Sequence, residues 1–190
     1  GAPTTTRIFT STTATPGPLT LSVTAMGEVP AGRALRRNAA QTGDLVFVSG
    51  TLGDSALGLK RLRGKLAGLS AEEGVFLIDR YRLPQPRLPL GRALMETGLA
   101  KAALDISDGL LADLGHIGEQ SGLAAKIESA RLPLSPAAAR ALKDDPALIA
   151  EIVAGGDDYE LLFTAPAAAQ APIAALGQRL GLRISLIGRM

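Results

Sequence analysis

Two carboxylates and a hydroxyl stand where a short apolar stretch gives way to a helical pattern, between Ala103 and His116. The apolar residues that follow fall on one face at helical spacing, which predicts a buried helix face: Leu110, Leu111, Leu114 and Ile117. This places Asp105, Ser107 and Asp108 on the turn before a helix. The amino terminus of a helix favours an anion such as phosphate, and carboxylates favour a hard cation such as Mg²⁺. This turn therefore suits a metal-bridged phosphate. The alternative is an acidic cap, in which Ser107 or Asp108 accepts a hydrogen bond from the helix.

A second acidic segment runs from Gly155 to Phe163 and reads Gly-Gly-Asp-Asp-Tyr-Glu-Leu-Leu-Phe. Two glycines would allow the backbone to approach a ligand closely. Asp157, Asp158 and Glu160 supply carboxylates that could hold an amine, a hydroxyl or a metal. The alternative is a helix C-cap with a polar turn that leads into a strand over 159–164.

Two further segments carry weaker signals. The glycine turn 50–55 follows an apolar strand and opens a helix, but it lacks the Gly-Lys-Ser/Thr ending of a P-loop. Phosphate binding and a tight structural turn both remain open for it. Arg33, Arg36 and Arg37 could direct two guanidiniums at one anion, or they could lie on a solvated surface. Arg87, in a proline-rich connection, could contact an anion but is expected at the surface.

Composition limits the class of protein. With 190 residues, 46% of them apolar, the chain can bury a substantial core. Charges of both signs are interspersed and the formal net charge is only +2, which argues against a nucleic-acid partner.

The absence of cysteine excludes a disulfide framework and a cysteine nucleophile, and it fits a cytoplasmic origin. The single histidine, His116, excludes a histidine-rich metal cage and is expected to be solvated or to support its helix. No apolar run reaches the ~18 residues of a membrane span, so we expect a soluble protein.

Residues 1–18 are crowded with threonine and proline and are predicted to form an arm or linker. A first residue of Gly1 in place of Met indicates a processed or engineered start. Strands and helices alternate over the remaining residues, 19–190. The predicted strands are 19–25, 45–49, 102–104, 124–128, 159–164 and 182–188, and the predicted helices are 56–69, 73–80, 90–97, 110–117, 137–142, 147–153 and 167–180.

Four segments together resemble the thiamine-monophosphate kinase family, and they occur in the order and spacing of that family. The segments are Gly32–Arg37, Ser49–Asp54, Leu104–Leu110 and Ala154–Leu161. Their combination separates this family from the related aminoimidazole ribonucleotide synthetase, selenophosphate synthetase and hydrogenase-maturation groups. The resemblance begins near Thr12 and corresponds to the carboxyl-terminal domain of the family. It implies an α/β (α+β) fold over 19–190, with a mixed β-sheet covered by helices.

The resemblance also implies an activity and a site. The family phosphorylates thiamine monophosphate to thiamine diphosphate, with ATP as co-substrate and Mg²⁺ as the metal. Asp105 and Asp108 would bind Mg²⁺, Ser107 and Arg37 would contact the nucleotide, and Asp157 would contact thiamine monophosphate. Glu is frequent in the family at the position of Asp157. We expect direct in-line phosphoryl transfer, so no side chain is predicted to act as a nucleophile or a strong base.

Several features depart from the family pattern. The amino-terminal domain, which carries most of the magnesium-binding aspartates and the interface of the expected homodimer, is not represented. Ser11 stands where the family has an Asp that binds metal and nucleotide. We therefore expect a fragment of a cytoplasmic enzyme that is inactive when isolated. Two other readings stay open: another ATP-dependent enzyme of the same superfamily, or a non-catalytic binding module.

Overall fold

The computed structural model describes residues 9–14, 17 and 21–190. Contacts between residues divide the chain into two compact units, Gly1–Ala34 and Leu35–Met190. The predicted boundary between an arm over 1–18 and a domain over 19–190 stays a prediction.

Among its described residues, the first unit contains one antiparallel pair of strands. β1 (Phe9–Ala14) pairs with β2 (Leu21–Met26) so that Phe9 lies opposite Met26. β2 corresponds to the strand predicted over 19–25. β1 was not predicted and lies inside the predicted arm, whose other residues, apart from Gly17, are outside the described residues. The threonines of β1 have high strand propensity, but a strand forms only when a partner strand completes its backbone hydrogen bonds.

The second unit is built on a five-stranded sheet. Its strands are β3 (Leu45–Ser49), β4 (Ala103–Asp105), β5 (Lys126–Ile127), β6 (Leu161–Ala165) and β7 (Ile184–Arg189). They lie in the order β4-β6-β3-β7-β5, and all four pairings are antiparallel. One parallel bridge joins Arg36 to Ala102. The predicted α/β (α+β) architecture, with a sheet covered by helices, is confirmed. The sheet was expected to be mixed, but apart from that single bridge its strand pairings are all antiparallel.

Seven α-helices accompany this sheet in the part of the chain that is described. They are α1 (Asp54–Leu62), α2 (Ala71–Arg82), α3 (Leu88–Thr97), α4 (Leu110–Ser121), α5 (Pro136–Asp144), α6 (Ile149–Ala154) and α7 (Gln170–Leu180). The helix predicted over 56–69 ends at Leu62, although Leu66 and Leu69 still pack in the core from the loop that follows. Their apolar spacing thus indicated burial correctly but the wrong local structure. None of the described helices is both long and apolar enough to cross a membrane.

The core has one cluster on each face of the sheet. Val46 and Val48 of β3 pack with apolar residues of α4, whereas Phe47 packs with residues of α3 and α7. This alternation is the period-two pattern of a strand covered on both sides. The remaining helices, α1, α2, α5 and α6, share a third cluster. On α4, Leu111 is 53% exposed, so it does not belong to the buried face predicted for it.

Candidate functional site

The acidic turn, defined here as residues 105–109, joins β4 to α4. The N-cap of α4 is Gly109, and no side chain caps the helix. Instead, Oδ2 of the buried Asp113 accepts hydrogen bonds from the amides of Ser107 and Asp108, both at 3.0 Å. The alternative in which Ser107 or Asp108 caps α4 is therefore wrong, because the turn is held from inside by the carboxylate of Asp113. Asp113 was missed; an acid in the first turn of a helix was the available signal.

The side chains of the acidic turn are available to a ligand. Asp105 and Asp108 are exposed, and Ser107 is half-buried. Among the described residues, neither Asp105 nor Asp108 forms an ion pair with Lys or Arg. Exposed carboxylate oxygens without a basic partner fit a hard cation such as Mg²⁺. The uncapped amino terminus of α4 beside them fits an anion.

A group of three possible metal ligands includes only one of the two predicted aspartates. Asp108, Asp113 and His116 each offer a ligand atom, and these atoms lie within 4.8 Å of one another. His116, expected to be solvated or to support its helix, is half-buried beside these acids. Asp105 is not part of the group. One oxygen of Asp113 already accepts two backbone hydrogen bonds, so a structural role accounts for that residue.

The glycine-acidic loop, defined here as residues 155–160, lies directly against the acidic turn. Backbone hydrogen bonds run from Ile106 N to Glu160 O at 2.8 Å, from Tyr159 N to Ile106 O at 2.9 Å, and from Asp157 N to Ser107 O at 2.9 Å. These bonds extend the pairing of β4 with β6 beyond the ends of both strands. The structure therefore brings Asp157 to the same end of the sheet as the acidic turn.

Gly156 allows this close approach. A Cβ added to Gly156 would lie 2.1 Å from the carbonyl oxygen of Ser107. The sequence suggested that the two glycines let the backbone approach a ligand. In the structure the neighbour of Gly156 is instead the backbone of the acidic turn. The glycine thus joins two parts of the site.

Side chains of the glycine-acidic loop alternate between solvent and core. Asp157 and Tyr159 are exposed and have positive φ angles, 67° and 51°. Asp158 and Glu160 are 1% and 0% exposed. The expectation that all three acids could hold a ligand is therefore wrong for Asp158 and Glu160, because both are buried and bonded inside the protein. Only Asp157 presents its carboxylate to solvent.

Asp158 joins the loop to the amino terminus of α1. Its carboxylate accepts hydrogen bonds from the amides of Gly53 at 2.6 Å and Ser55 at 3.1 Å. Burial raises the pKa of Asp158 to about 7, and the two backbone hydrogen bonds oppose that rise. Because these amides already have a partner, they are not free for a phosphate. These contacts support a tight structural turn, rather than a phosphate-binding loop, for residues 50–55.

Glu160 is the centre of a buried ionic network. Its carboxylate accepts hydrogen bonds from Arg80 Nη2 at 2.8 Å, from Arg87 Nε and Nη2 at 2.7 and 2.5 Å, and from Ser49 Oγ at 2.6 Å. Arg87 was expected at the surface, yet its guanidinium makes a two-pronged contact with this acid. Two guanidiniums around one carboxylate satisfy a charge that would otherwise be costly to bury.

The network continues to Asp54 at the start of α1. Its carboxylate accepts hydrogen bonds from Thr51 Oγ1 at 2.5 Å and Ser135 Oγ at 2.6 Å. Burial raises the pKa of Asp54, while these two bonds act in the opposite direction. Arg80 Nε lies 3.8 Å from Asp54 Oδ2 and has no hydrogen-bond partner among the described residues.

Gly50 makes room for the network. It has a φ of 60°, and a Cβ on it would lie 2.1 Å from Oε1 of Glu160. Any side chain at this position would therefore displace the buried carboxylate.

The three clustered arginines are divided between the two units. Arg33 belongs to the first unit, and Arg36 and Arg37 are exposed residues of the second. The carbonyl of Arg37 accepts a hydrogen bond from Ser121 Oγ, which places its backbone at the carboxyl end of α4. The acidic turn is at the other end of this 12-residue helix, about 18 Å away. The backbone of Arg37 and the acidic turn therefore lie at opposite ends of α4.

A groove of about 620 Å³ lies between α1 and α6, next to the glycine-acidic loop. Apolar side chains such as Ala56 and Leu59 line it, together with Asp157 and the basic residues Lys60 and Arg63. Lys60 forms an ion pair with Glu151. Basic side chains at the carboxyl end of a helix also complement its dipole, so their position does not assign a ligand.

Comparison with known proteins agrees with this architecture. The chain matches the family described as AIR synthase related protein, C-terminal domain, over residues 41–190. It is 43% identical over 177 residues to the thiamine-monophosphate kinase of Salmonella typhimurium, and the alignment covers 93% of this chain and 53% of that protein. The chain spans about half the length of the curated relatives it matches.

Two solved structures have the same fold. The thiamine-monophosphate kinase of Stenotrophomonas maltophilia K279a matches with a TM-score of 0.83 and 45% identity, over 91% of this chain and 55% of that one. The structure of AaThiL complexed with AMPPCP and TMP matches with a TM-score of 0.74 and 36% identity, over 89% and 51%. The resemblance to the carboxyl-terminal domain of thiamine-monophosphate kinases is confirmed. The chain belongs to the family of AIR synthase related proteins and carries their C-terminal domain.

Proposed function

We propose that the chain is the carboxyl-terminal part of a thiamine-monophosphate kinase, which uses ATP to convert thiamine monophosphate into thiamine diphosphate in thiamine diphosphate biosynthesis. The observation that carries the proposal is the backbone ladder between the acidic turn and the glycine-acidic loop, because it holds the proposed metal ligands beside Asp157. The identity to the Salmonella kinase and the likeness to AaThiL with AMPPCP and TMP support a nucleotide and thiamine monophosphate as ligands.

The proposed roles are given to side chains that are exposed or half-buried and can therefore reach a ligand. Asp105 and Asp108 would hold Mg²⁺, Ser107 and Arg37 would contact the nucleotide, and Asp157 would contact thiamine monophosphate. Mg²⁺ bound there would neutralise charge on the transferring phosphates. Because the backbone of Arg37 lies at the opposite end of α4 from Ser107, a nucleotide contacted by both would have to span the distance between them.

The proposed reaction needs positioning more than side-chain chemistry. An ionised phosphate oxygen of thiamine monophosphate forms a bond to the γ-phosphorus of ATP, the bond from that phosphorus to the bridging oxygen breaks, and ADP leaves. Because the acceptor oxygen is already ionised near neutral pH, neither a strong base nor a side-chain nucleophile is required. A phosphoenzyme trapped from radiolabelled ATP would contradict direct transfer.

The proposal also covers the location, the oligomeric state and the partners of the enzyme. The intact protein would be a cytoplasmic homodimer that pairs through the domain not represented here, without membrane or nucleic-acid partners. The small net charge of +2 supports the last point, since nucleic-acid binding relies on a basic surface. Most of the metal-binding aspartates would come from the same missing domain, so the isolated chain would be inactive.

Product formation tests the proposal directly. Thiamine diphosphate would be measured with MgCl₂, ATP and thiamine monophosphate, for the chain alone and for the chain mixed with a separately produced amino-terminal domain of a curated relative. Asp108→Asn is the test variant. Asp79→Asn, an exposed aspartate on α2, is its matched control.

We expect product from the mixture, reduced at least about tenfold by Asp108→Asn through the loss of a metal-binding charge, and unchanged by Asp79→Asn. Product from the chain alone would overturn the expectation of an inactive fragment while supporting the activity. No product from either preparation would contradict the proposal. In that case, protection from thermal unfolding by ATP but not by thiamine monophosphate would favour another enzyme of the superfamily, and no response to either would favour a binding module.

A further inference from the structure

Tyr159 is held in a conformation that does not serve packing. Its φ of 51° lies in the left-handed region, which a bulky residue adopts only when its surroundings impose it. The constraint comes from both neighbours, because Asp158 and Glu160 are anchored in the core. The tyrosine side chain itself remains 38% exposed. The loop therefore uses its two buried acids to present an aromatic ring to solvent.

The hydroxyl of the presented ring lies next to a carboxylate. The hydroxyl of Tyr159 lies 3.4 Å from Oδ1 of Asp157, to which it donates. Partial burial raises the pKa of Tyr159, and the negative charges of Asp157, Asp105 and Asp108 raise it further. Its backbone amide is bonded to Ile106 in the ladder. The side chain of Tyr159 thus borders the proposed substrate contact, Asp157, and its backbone is bonded to the acidic turn.

An aromatic face beside carboxylates is complementary to a cationic aromatic ring. The face of the ring attracts positive charge, and the neighbouring acids add to that attraction. Thiamine monophosphate carries such a ring, its positively charged thiazolium, whereas the adenine of ATP is uncharged. We propose that Tyr159 is a substrate-binding residue that stacks on the thiazolium ring of thiamine monophosphate. This inference rests on the proposed function.

The test compares variants in whichever preparation forms thiamine diphosphate, the chain alone or the mixture. Tyr159→Leu removes the ring, and Tyr159→Phe keeps the ring but removes the hydroxyl. Phe76→Leu is the matched control, since Phe76 is 41% exposed on α2 and lies outside the two acidic segments. Dissociation constants for thiamine monophosphate and for ATP would be measured by calorimetry with Mg²⁺ present.

We expect Tyr159→Leu to weaken binding of thiamine monophosphate by about 3- to 30-fold, the range of a cation–π contact, and to change ATP binding by less than about 2-fold. Tyr159→Phe would stay within about 3-fold of the unaltered protein because the ring remains. Phe76→Leu would leave both constants unchanged. Equal binding of thiamine monophosphate by Tyr159→Leu and the unaltered protein would overturn the inference and leave the proposed function standing.

A second measurement needs no variant and therefore no assumption about folding. The unaltered protein would be titrated with thiamine monophosphate and with an analogue in which an uncharged ring replaces the thiazolium. Weaker binding of the analogue supports the inference, and equal binding contradicts it. Failure of both preparations to form thiamine diphosphate would instead overturn the proposed function, and this inference with it.

Discussion

The carboxylate of Asp158 accepts a hydrogen bond from the amide of Gly53 at 2.6 Å, although the two residues are 105 positions apart in the chain. A second bond, from the amide of Ser55 at 3.1 Å, completes the contact with the start of α1. Asp157, the residue before it, is exposed. One acid of the pair therefore anchors the loop while the other is left for a ligand.

Asp158 should make stability depend on pH. Burial raises its pKa to about 7 in the folded protein, compared with about 3.9 in an unfolded chain. Between these values the folded state binds a proton that the unfolded state has released. Its stabilising contribution is complete below about pH 4 and is lost as the pH rises through about 7. We expect this group to lower the free energy of unfolding by roughly 2 to 4 kcal/mol between about pH 4 and pH 8.

Urea denaturation across this pH range would measure the effect. Asp158→Asn should flatten the decline because the amide does not titrate. Asp157→Asn, a change at the exposed neighbour, should retain it. A decline that persists unchanged in Asp158→Asn would assign the pH dependence to other groups.

Glu160→Gln should destabilise the protein strongly. The substitution leaves Arg80 and Arg87 facing a neutral amide in the core, and loss of one partner of a buried ion pair costs about 3 to 5 kcal/mol. Glu151→Gln is the control, because Glu151 pairs with Lys60 at the surface and its loss should cost about 1 kcal/mol or less. The measurement is the free energy of unfolding of each variant at neutral pH, compared with that of the unaltered protein. Equal effects of the two changes would show that the buried network contributes no more than a surface pair.

A comparison of Gly50→Ala with Gly64→Ala should separate the cost of a steric conflict from the cost of backbone strain. Gly50 and Gly64 have similar φ angles, 60° and 69°, but only Gly50 has the carboxylate of Glu160 where a Cβ would lie. Gly64→Ala should cost about 1 kcal/mol, the ordinary cost of a left-handed alanine. Gly50→Ala should cost at least about 2 kcal/mol more, because it also displaces Glu160 from its hydrogen bonds. Chemical denaturation of both variants would measure the difference, and similar values would rule out the conflict.

Gly156→Ala should impair the proposed reaction. A Cβ there would meet the carbonyl oxygen of Ser107 at 2.1 Å and would push the glycine-acidic loop away from the acidic turn. Displacements of about 1 Å can lower rates by about 100-fold, so we expect a loss of this order in thiamine diphosphate formation. Gly115→Ala on α4, where a Cβ meets nothing within 4 Å, should keep full activity and gain up to about 1 kcal/mol of stability. Full activity in Gly156→Ala would show that the ladder is not needed.

The sequence by itself determined most of the local structure and the placement of the acids along it. β3 has its predicted bounds, and the acidic turn lies between a strand and a helix as predicted. These features depend on the spacing of apolar residues and on glycine, which act over a few positions of the chain. The motifs also carried the family resemblance that the comparisons confirm.

Tertiary structure alone decided which charged residues reach solvent. Asp157 and Asp158 are adjacent and identical in type, yet one is exposed and the other is 1% exposed. Arg80 and Arg87 meet Glu160 across 80 and 73 positions, and Arg37 is kept at the far end of α4 from Ser107. Burial and pairing of charges depend on contacts between segments distant in sequence, because a charge enters the core only where another part of the chain supplies its partner. The sequence pattern around a charged residue does not identify that partner.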